Sequence, residues 1–168
     1  MSLDMTFRII LAVLTVALYY NRHIAHGRRP PRKKPLTGLE RWVVILPSLW
    51  TLSLVLYVAG FPWFDYSLPV PTAVRWIGVA IMALCLPLSN WVYRTLGSHS
   101  SKELRLRHNH QLVRSGPYRY VRHPVYAILI FCAVGACLIS GNVVVIAFSA
   151  AVAVVLRLRI SKAVARLV

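Results

Sequence analysis

Acid is nearly missing from this chain. Only Asp4, Glu40, Asp65 and Glu103 carry a carboxylate among 168 residues, against twenty Lys and Arg, and none follows Glu103. Cysteine is as scarce: Cys85, Cys132 and Cys137 form no C-x-x-C pair and all lie in apolar segments. Neither a disulfide framework nor a zinc site is indicated, no metal is expected, and the thiols read as small hydrophobes. No repeat of solenoid period, no low-complexity tail and no Gly-rich dinucleotide fingerprint occurs. The resulting net charge of +16 invites a nucleic-acid reading. The placement of the charges argues against it, because they sit between apolar runs rather than along one polar face. No nucleic-acid partner is expected.

What the chain has in abundance is apolar residues, at 58%, above the ~45–50% of ordinary soluble domains. A bilayer takes about 20 apolar residues to cross, with a range of about 17–25. Candidate spans are 5–21, 42–61, 72–93, 124–140 and 143–160. The last two are separated by the tripeptide SGN, which reads as a tight hairpin turn. The first contains a short apolar run, Ile9 to Tyr20, of the kind found in secretory signals. No clear small-residue cleavage site follows it, so it is read as an uncleaved span. Two parts result: three N-terminal spans within 1–93, and a loop plus helical hairpin over 94–168.

Basic residues orient these spans. Residues 22–41 hold seven Lys or Arg, residues 94–122 hold seven and the tail 157–168 holds four, whereas FPWFDYSLPVP and the turn at 140–142 hold none. Basic connections alternate with connections that hold no Lys or Arg, which under the positive-inside rule gives five spans, the N-terminus outside and the C-terminus cytoplasmic. Anionic lipid headgroups are then expected partners for the basic segments. GRRPPRKKP, Gly27 to Pro35, is a Pro-rich linker that is not helical throughout. Pro47 and Pro87 lie inside spans, where a proline is tolerated as a kink. From Thr95 to His123 the chain reads as a long non-spanning connection, and long loops in compact proteins are usually functional or disordered.

The end of that connection, HQLVRSGPYRYVRHPVY, concentrates polar and aromatic groups at the mouth of an apolar segment. SGPY reads as a turn. Pro124 suits the first position of a helix, where its missing N–H costs nothing. His123 and Tyr126, three apart, can then face one pocket. The N–H groups of that first turn favour an anion such as a ligand carboxylate. Taken singly, Arg, His and Tyr here also suit membrane-interface anchors. Their joint order is more specific.

This stretch resembles the signature of the isoprenylcysteine carboxyl methyltransferase family, which is related to the phospholipid N-methyltransferases. The likeness covers about Leu96 to Arg159. It implies an all-α integral membrane enzyme that uses S-adenosylmethionine, with a cytoplasmic loop and the last helical hairpin forming the cofactor pocket. A lipophilic substrate would enter from the bilayer. The implied cofactor contacts are His110, Gln111, Leu112, Val113, Gly116, Tyr118, His123, Pro124, Val125 and Tyr126, with Glu103 as a further polar contact. Arg157 and Arg159 are the implied candidates to hold a substrate carboxylate; the same positions suit snorkelling topology anchors.

The chain departs from the family pattern in two places. The last span reads RLRISKAVARLV, with Ser161, Lys162 and Ala163 where the family has a Glu-rich stretch, and Ala127 stands where a Gly often follows the motif Tyr. These departures are compatible with a truncated chain, with a cofactor held by one contact fewer, or with altered activity. Methyl transfer to a carboxylate needs positioning and a dry pocket rather than a strong base, whereas an amine acceptor must lose a proton. A basic substrate side with no carboxylate to hold an ammonium favours carboxyl O-methylation. The alternatives are N-methylation of a phospholipid amine, or a non-catalytic membrane scaffold of the same fold.

Overall fold

A computed structural model describes residues 2–26, 38–61, 66–103, 116–119, 121 and 124–165, without the side chains of 25–26, 39–40, 96–103, 160 and 162–165. Its elements are α1 (Leu3–His26), α2 (Gly38–Val58), α3 (Thr72–Glu103), a single 3-10 turn (Gly116–Arg119), α4 (Pro124–Ser140) and α5 (Val143–Ala165). Among the described residues the only extended pairing is one isolated bridge, Ser67 to Asn142. The five expected helices are present. The linker 27–37 lies outside the described residues.

Three helices, over Leu3–Ile24, Arg41–Val58 and Thr72–Thr95, are long and apolar enough to cross a membrane, and α4 is a shorter apolar helix. At 17 residues, α4 is at the lower limit for a span, about 25 Å at 1.5 Å per residue. Apolar side chains point outward on every helix: Val13, Val16 and Tyr20 on α1, Val55 on α2, Leu84 on α3, Phe131 on α4 and Val154 on α5 are each more than half exposed. Contiguous outward apolar surface of this kind fits lipid and not water. The chain is a multi-pass, all-α membrane protein.

The boundaries follow local chemistry. α2 stops at Val58 because Gly60 adopts φ 71° and a Schellman cap closes over it, with Gly60 N–H donating to Tyr57 O (3.1 Å) and Phe61 N–H to Leu56 O (3.4 Å). The expected turn after α4 is built by Gly141, at φ 59°, whose N–H bonds Cys137 O at 2.8 Å. Asn142 then caps α5, its Oδ1 accepting from Val144 N (3.0 Å) and Val145 N (3.2 Å). One boundary differs from the sequence expectation. α3 runs on to Glu103, about ten residues past the expected end at 93, so the connection to α4 begins as helix. Between Val92 and Glu103 only Gly97 weakens a helix and no proline ends it.

In space α3 and α4 form the central pair; α1 packs on α3, while α5 packs on both α4 and α2. The α3–α4 crossing is made by glycines. A Cβ at Gly78 would lie 2.8 Å from Gly135 O, and one at Gly135 would lie 3.0 Å from Gly78 O. Small residues bring membrane helices into close contact in this way. The core around the crossing is Phe7, Leu11, Met82, Cys85, Cys132, Ala136 and Ile139. Hydrogen bonds join the outer helices: Trp50 Nε1–H donates to Ser149 Oγ at 2.8 Å between α2 and α5, and Tyr19 and Thr51 hydroxyls pair at 2.8 Å between α1 and α2.

The bundle has two unlike ends. At the end whose connections hold no Lys or Arg, residues 66–68 pair with the α4–α5 turn through Leu68 N–H to Gly141 O and Val143 N–H to Tyr66 O, both 2.9 Å. Arg75 at this end pairs with Asp4 and lies 5.0 Å over the Phe7 ring, and Arg8 lies 4.9 Å over Tyr57. Charges at the edge of a span are thus matched by a carboxylate and by ring faces. The other end gathers the C-termini of α1, α3 and α5 and the starts of α2 and α4, with Arg22, Arg41, Arg94, Arg157 and Arg159 among the described residues.

Candidate functional site at the basic end

The start of α4 supplies the best-defined part of the site. Pro124 is its first residue and is buried, while Val125 and Tyr126 are half-buried. The fixed φ of proline suits that position. The first-turn N–H groups of a helix have no partner within the helix itself, and an anionic group is favoured beside them.

Tyr126 meets α5 there. The Arg159 guanidinium carbon lies 5.6 Å from the centre of the Tyr126 ring, a cation–π distance. Arg157 is two residues away, about 200° around a helix of 3.6 residues per turn. It is exposed, while Arg159 is half-buried. The structure therefore separates two residues that the sequence treated as equivalent: Arg159 joins Tyr126 and Arg157 points away from it.

The third contributor is the 3-10 turn. Gly116 has φ 61°, which L side chains rarely adopt, and a Cβ there would sit 3.0 Å from Thr95 Oγ1 and 3.1 Å from Thr95 Cγ2. Two constraints thus require glycine, the backbone conformation and the approach to α3. Pro117 is buried, Tyr118 is half-buried, and Val121 N–H bonds Pro117 O at 3.1 Å as the chain turns toward α4. Thr95 was not singled out by the sequence. The glycine of SGPY hinted at a tight turn, but nothing local named the side chain against which it would rest.

Of the implied contacts, Gly116, Tyr118, Pro124, Val125, Tyr126 and Arg159 lie at this end. His110, Gln111, Leu112, Val113 and His123 lie outside the described residues, and Glu103 is placed by its backbone alone, as the last residue of α3. The residues present fit a nucleoside carrying an amino-acid carboxylate. The start of α4 suits the anion, and the aromatic side chains of Tyr118 and Tyr126 suit a flat or cationic group.

No curated protein matches the chain. The model of the isoprenylcysteine carboxyl methyltransferase family matches residues 76–168, from the first turns of α3 through α5, more than half of the sequence and every element that carries a candidate site residue. The chain belongs to the isoprenylcysteine carboxyl methyltransferase family of membrane methyltransferases.

Proposed function

We propose that the protein transfers a methyl group from S-adenosylmethionine to the carboxylate of an isoprenylcysteine-type or other lipophilic acid, at the basic end of the bundle. The observation that carries this reading is Arg159 stacked on Tyr126, at the mouth of the segment whose sequence carries the family signature. A cation held at that place, in a bundle that faces lipid, suits an acid whose tail lies in the bilayer. Family membership supports methyl transfer in general; the cofactor and the carboxyl acceptor are the finer proposal.

The cofactor would be held by His110, Gln111, Leu112, Val113, Gly116, Tyr118, His123, Pro124, Val125 and Tyr126, with Glu103 beside them. When bound it supplies an electrophilic sulfonium methyl. Arg159 then orients the substrate carboxylate by charge-assisted hydrogen bonds, and the Tyr126 ring limits the rotamers open to the guanidinium. The carboxylate is ionised at neutral pH and needs no base. Positioning and the exclusion of water therefore account for most of the acceleration. Arg157, exposed on the far side of α5, serves instead as an anchor to anionic headgroups. The alternation of basic connections with connections that hold no Lys or Arg supports placing this end in the cytoplasm.

The test is incorporation of radiolabelled methyl from S-adenosylmethionine by membranes containing the protein, with a prenylated cysteine acid and an amine phospholipid compared. A base-labile ester on the acid is the expected product. Label only in the amine lipid would replace this reading with N-methylation. No label in either, with no cofactor binding, would leave the non-catalytic scaffold.

A further inference from the structure

We infer that Thr95 is a positioning residue for the cofactor segment, a shaped seat on α3 that sets where the 3-10 turn and the start of α4 stand. This role deepens the methyltransferase reading above and rests on it. Among the described residues between α3 and α4, the turn is the part that packs against α3, and its closest approach is Gly116 to Thr95. The fit is tight from both sides. Gly116 leaves no room for a Cβ, and Thr95 is held in orientation because its Oγ1–H donates to Trp91 O at 2.9 Å, one turn back along α3. The surface that Gly116 meets is therefore fixed by the helix.

The consequence runs along the chain. Tyr118 lies two residues after Gly116, the Val121–Pro117 bond closes the turn, and Pro124 begins α4 shortly after. The implied cofactor contacts lie on both sides of this point, at 110–113 before it and at 118 and 123–126 after it. A shift at Gly116 moves Tyr118, and with it the approach to Pro124 and Tyr126, relative to Arg159, which is carried on α5. The α3–α4 pair is meanwhile held elsewhere, at the Gly78–Gly135 crossing. A wider side chain at 95 thus displaces the turn without separating the helices. Since misplacement by about 1 Å costs on the order of 100-fold in a positioned reaction, the seat affects function more than stability.

The experiment compares the parent chain, Thr95→Leu and Thr95→Ser in detergent micelles, with S-adenosylmethionine as the probe. Calorimetry reads the Kd, and the methyl-transfer assay reads KM and kcat for the lipid acid. Thr95→Leu is expected to raise the cofactor Kd about tenfold or more and to lower kcat at saturating cofactor by about tenfold to 100-fold. Thr95→Ser keeps Cβ and the hydroxyl and is expected to bind as the parent does. Equal affinity of the Leu variant and the parent overturns the role of Thr95 alone. Equal losses in both variants, matched by equal losses of thermal stability, overturn it in favour of a packing role. No binding by the parent chain overturns the methyltransferase reading and this role with it. Because Thr95→Leu could fail to fold, Thr95→Ala serves as a check: it removes Oγ1 and Cγ2, the two atoms nearest the Gly116 position, without adding bulk. Its cofactor Kd is expected to rise about threefold or more at parental thermal stability; a Kd equal to the parent's overturns the seat.

Discussion

The α3–α4 crossing offers the sharpest test of the packing, because neither of its two glycines has room for a methyl. An Ala methyl at Gly78 would lie 2.8 Å from Gly135 O, 2.9 Å from Ile139 Cγ1 and 2.9 Å from Leu138 Cβ. Comfortable contact begins at about 3.5 Å, and a backbone oxygen and a Cβ move only if the helix moves. The methyl therefore pushes α4 back by roughly 0.7 Å. Overpacking of this kind costs about 1–3 kcal/mol, and the better helix propensity of Ala returns up to about 1 kcal/mol. Gly78→Ala is expected to destabilise the bundle by about 1–2 kcal/mol. At Gly135 the nearest atom is Met82 Cγ at 2.6 Å, close to the backbone of a methionine that is fully buried, and the backbone contact, Gly78 O, is at 3.0 Å. Gly135→Ala is expected to cost a similar amount, about 1–2 kcal/mol, since the methionine has no room to swing aside. The two sites share one gap, so once the first methyl has spread the helices the second costs less, and the double variant should fall short of the sum. Gly38, where an added methyl would meet nothing within 4 Å, is the control and should be neutral or slightly stabilising when changed to Ala. Unfolding by SDS in mixed micelles, followed by far-UV circular dichroism, gives the three differences. A Gly78→Ala variant as stable as the parent, or a Gly38→Ala variant that loses as much, would refute the close approach of α3 and α4.

Other expectations follow from single contacts. Arg159→Ala should raise KM for a lipid acid about tenfold or more, about 1.4 kcal/mol of lost binding, while Arg157→Ala stays within about threefold; equal effects in the same assay would remove the distinction between the two arginines. Trp50→Phe deletes the 2.8 Å bond to Ser149 and should cost about 0.6 kcal/mol, the average for a hydrogen bond between membrane helices, read by the same SDS titration. Asn142→Ala removes the acceptor for two N–H groups at the start of α5 and should cost about 1 kcal/mol; Asn142→Asp, which keeps an acceptor, should retain most of it.

Legibility from the sequence varied with the distance over which a feature is decided. The SGN turn was readable because its parts are adjacent: Gly141 takes the left-handed backbone and Asn142 the cap. Pro124 marked the start of α4 for the same reason. The extension of α3 to Glu103 was not readable from the drop in hydropathy after Tyr93, since a polar segment without proline continues a helix as readily as it leaves one. The site divided in the same way. Gly116, Tyr118, Pro124 and Tyr126 stood out as a local motif, but Thr95 did not, because an isolated threonine near the end of an apolar helix has no signature.

Composition and order were enough to establish a multi-pass helical membrane protein and, among the described residues, its five helices. The bilayer makes that possible: a backbone in hydrocarbon must satisfy its own hydrogen bonds, so an apolar run of sufficient length has one regular solution, whatever its neighbours are. Helix rotation and pairing have no such local determinant. That Arg159 rather than Arg157 faces Tyr126, that Gly78 and Gly135 meet, that Asp4 reaches Arg75 across 71 positions, and that Gly116 rests on Thr95 are all decided by how five apolar cylinders pack together, a sum over many weak contacts between residues far apart in the chain.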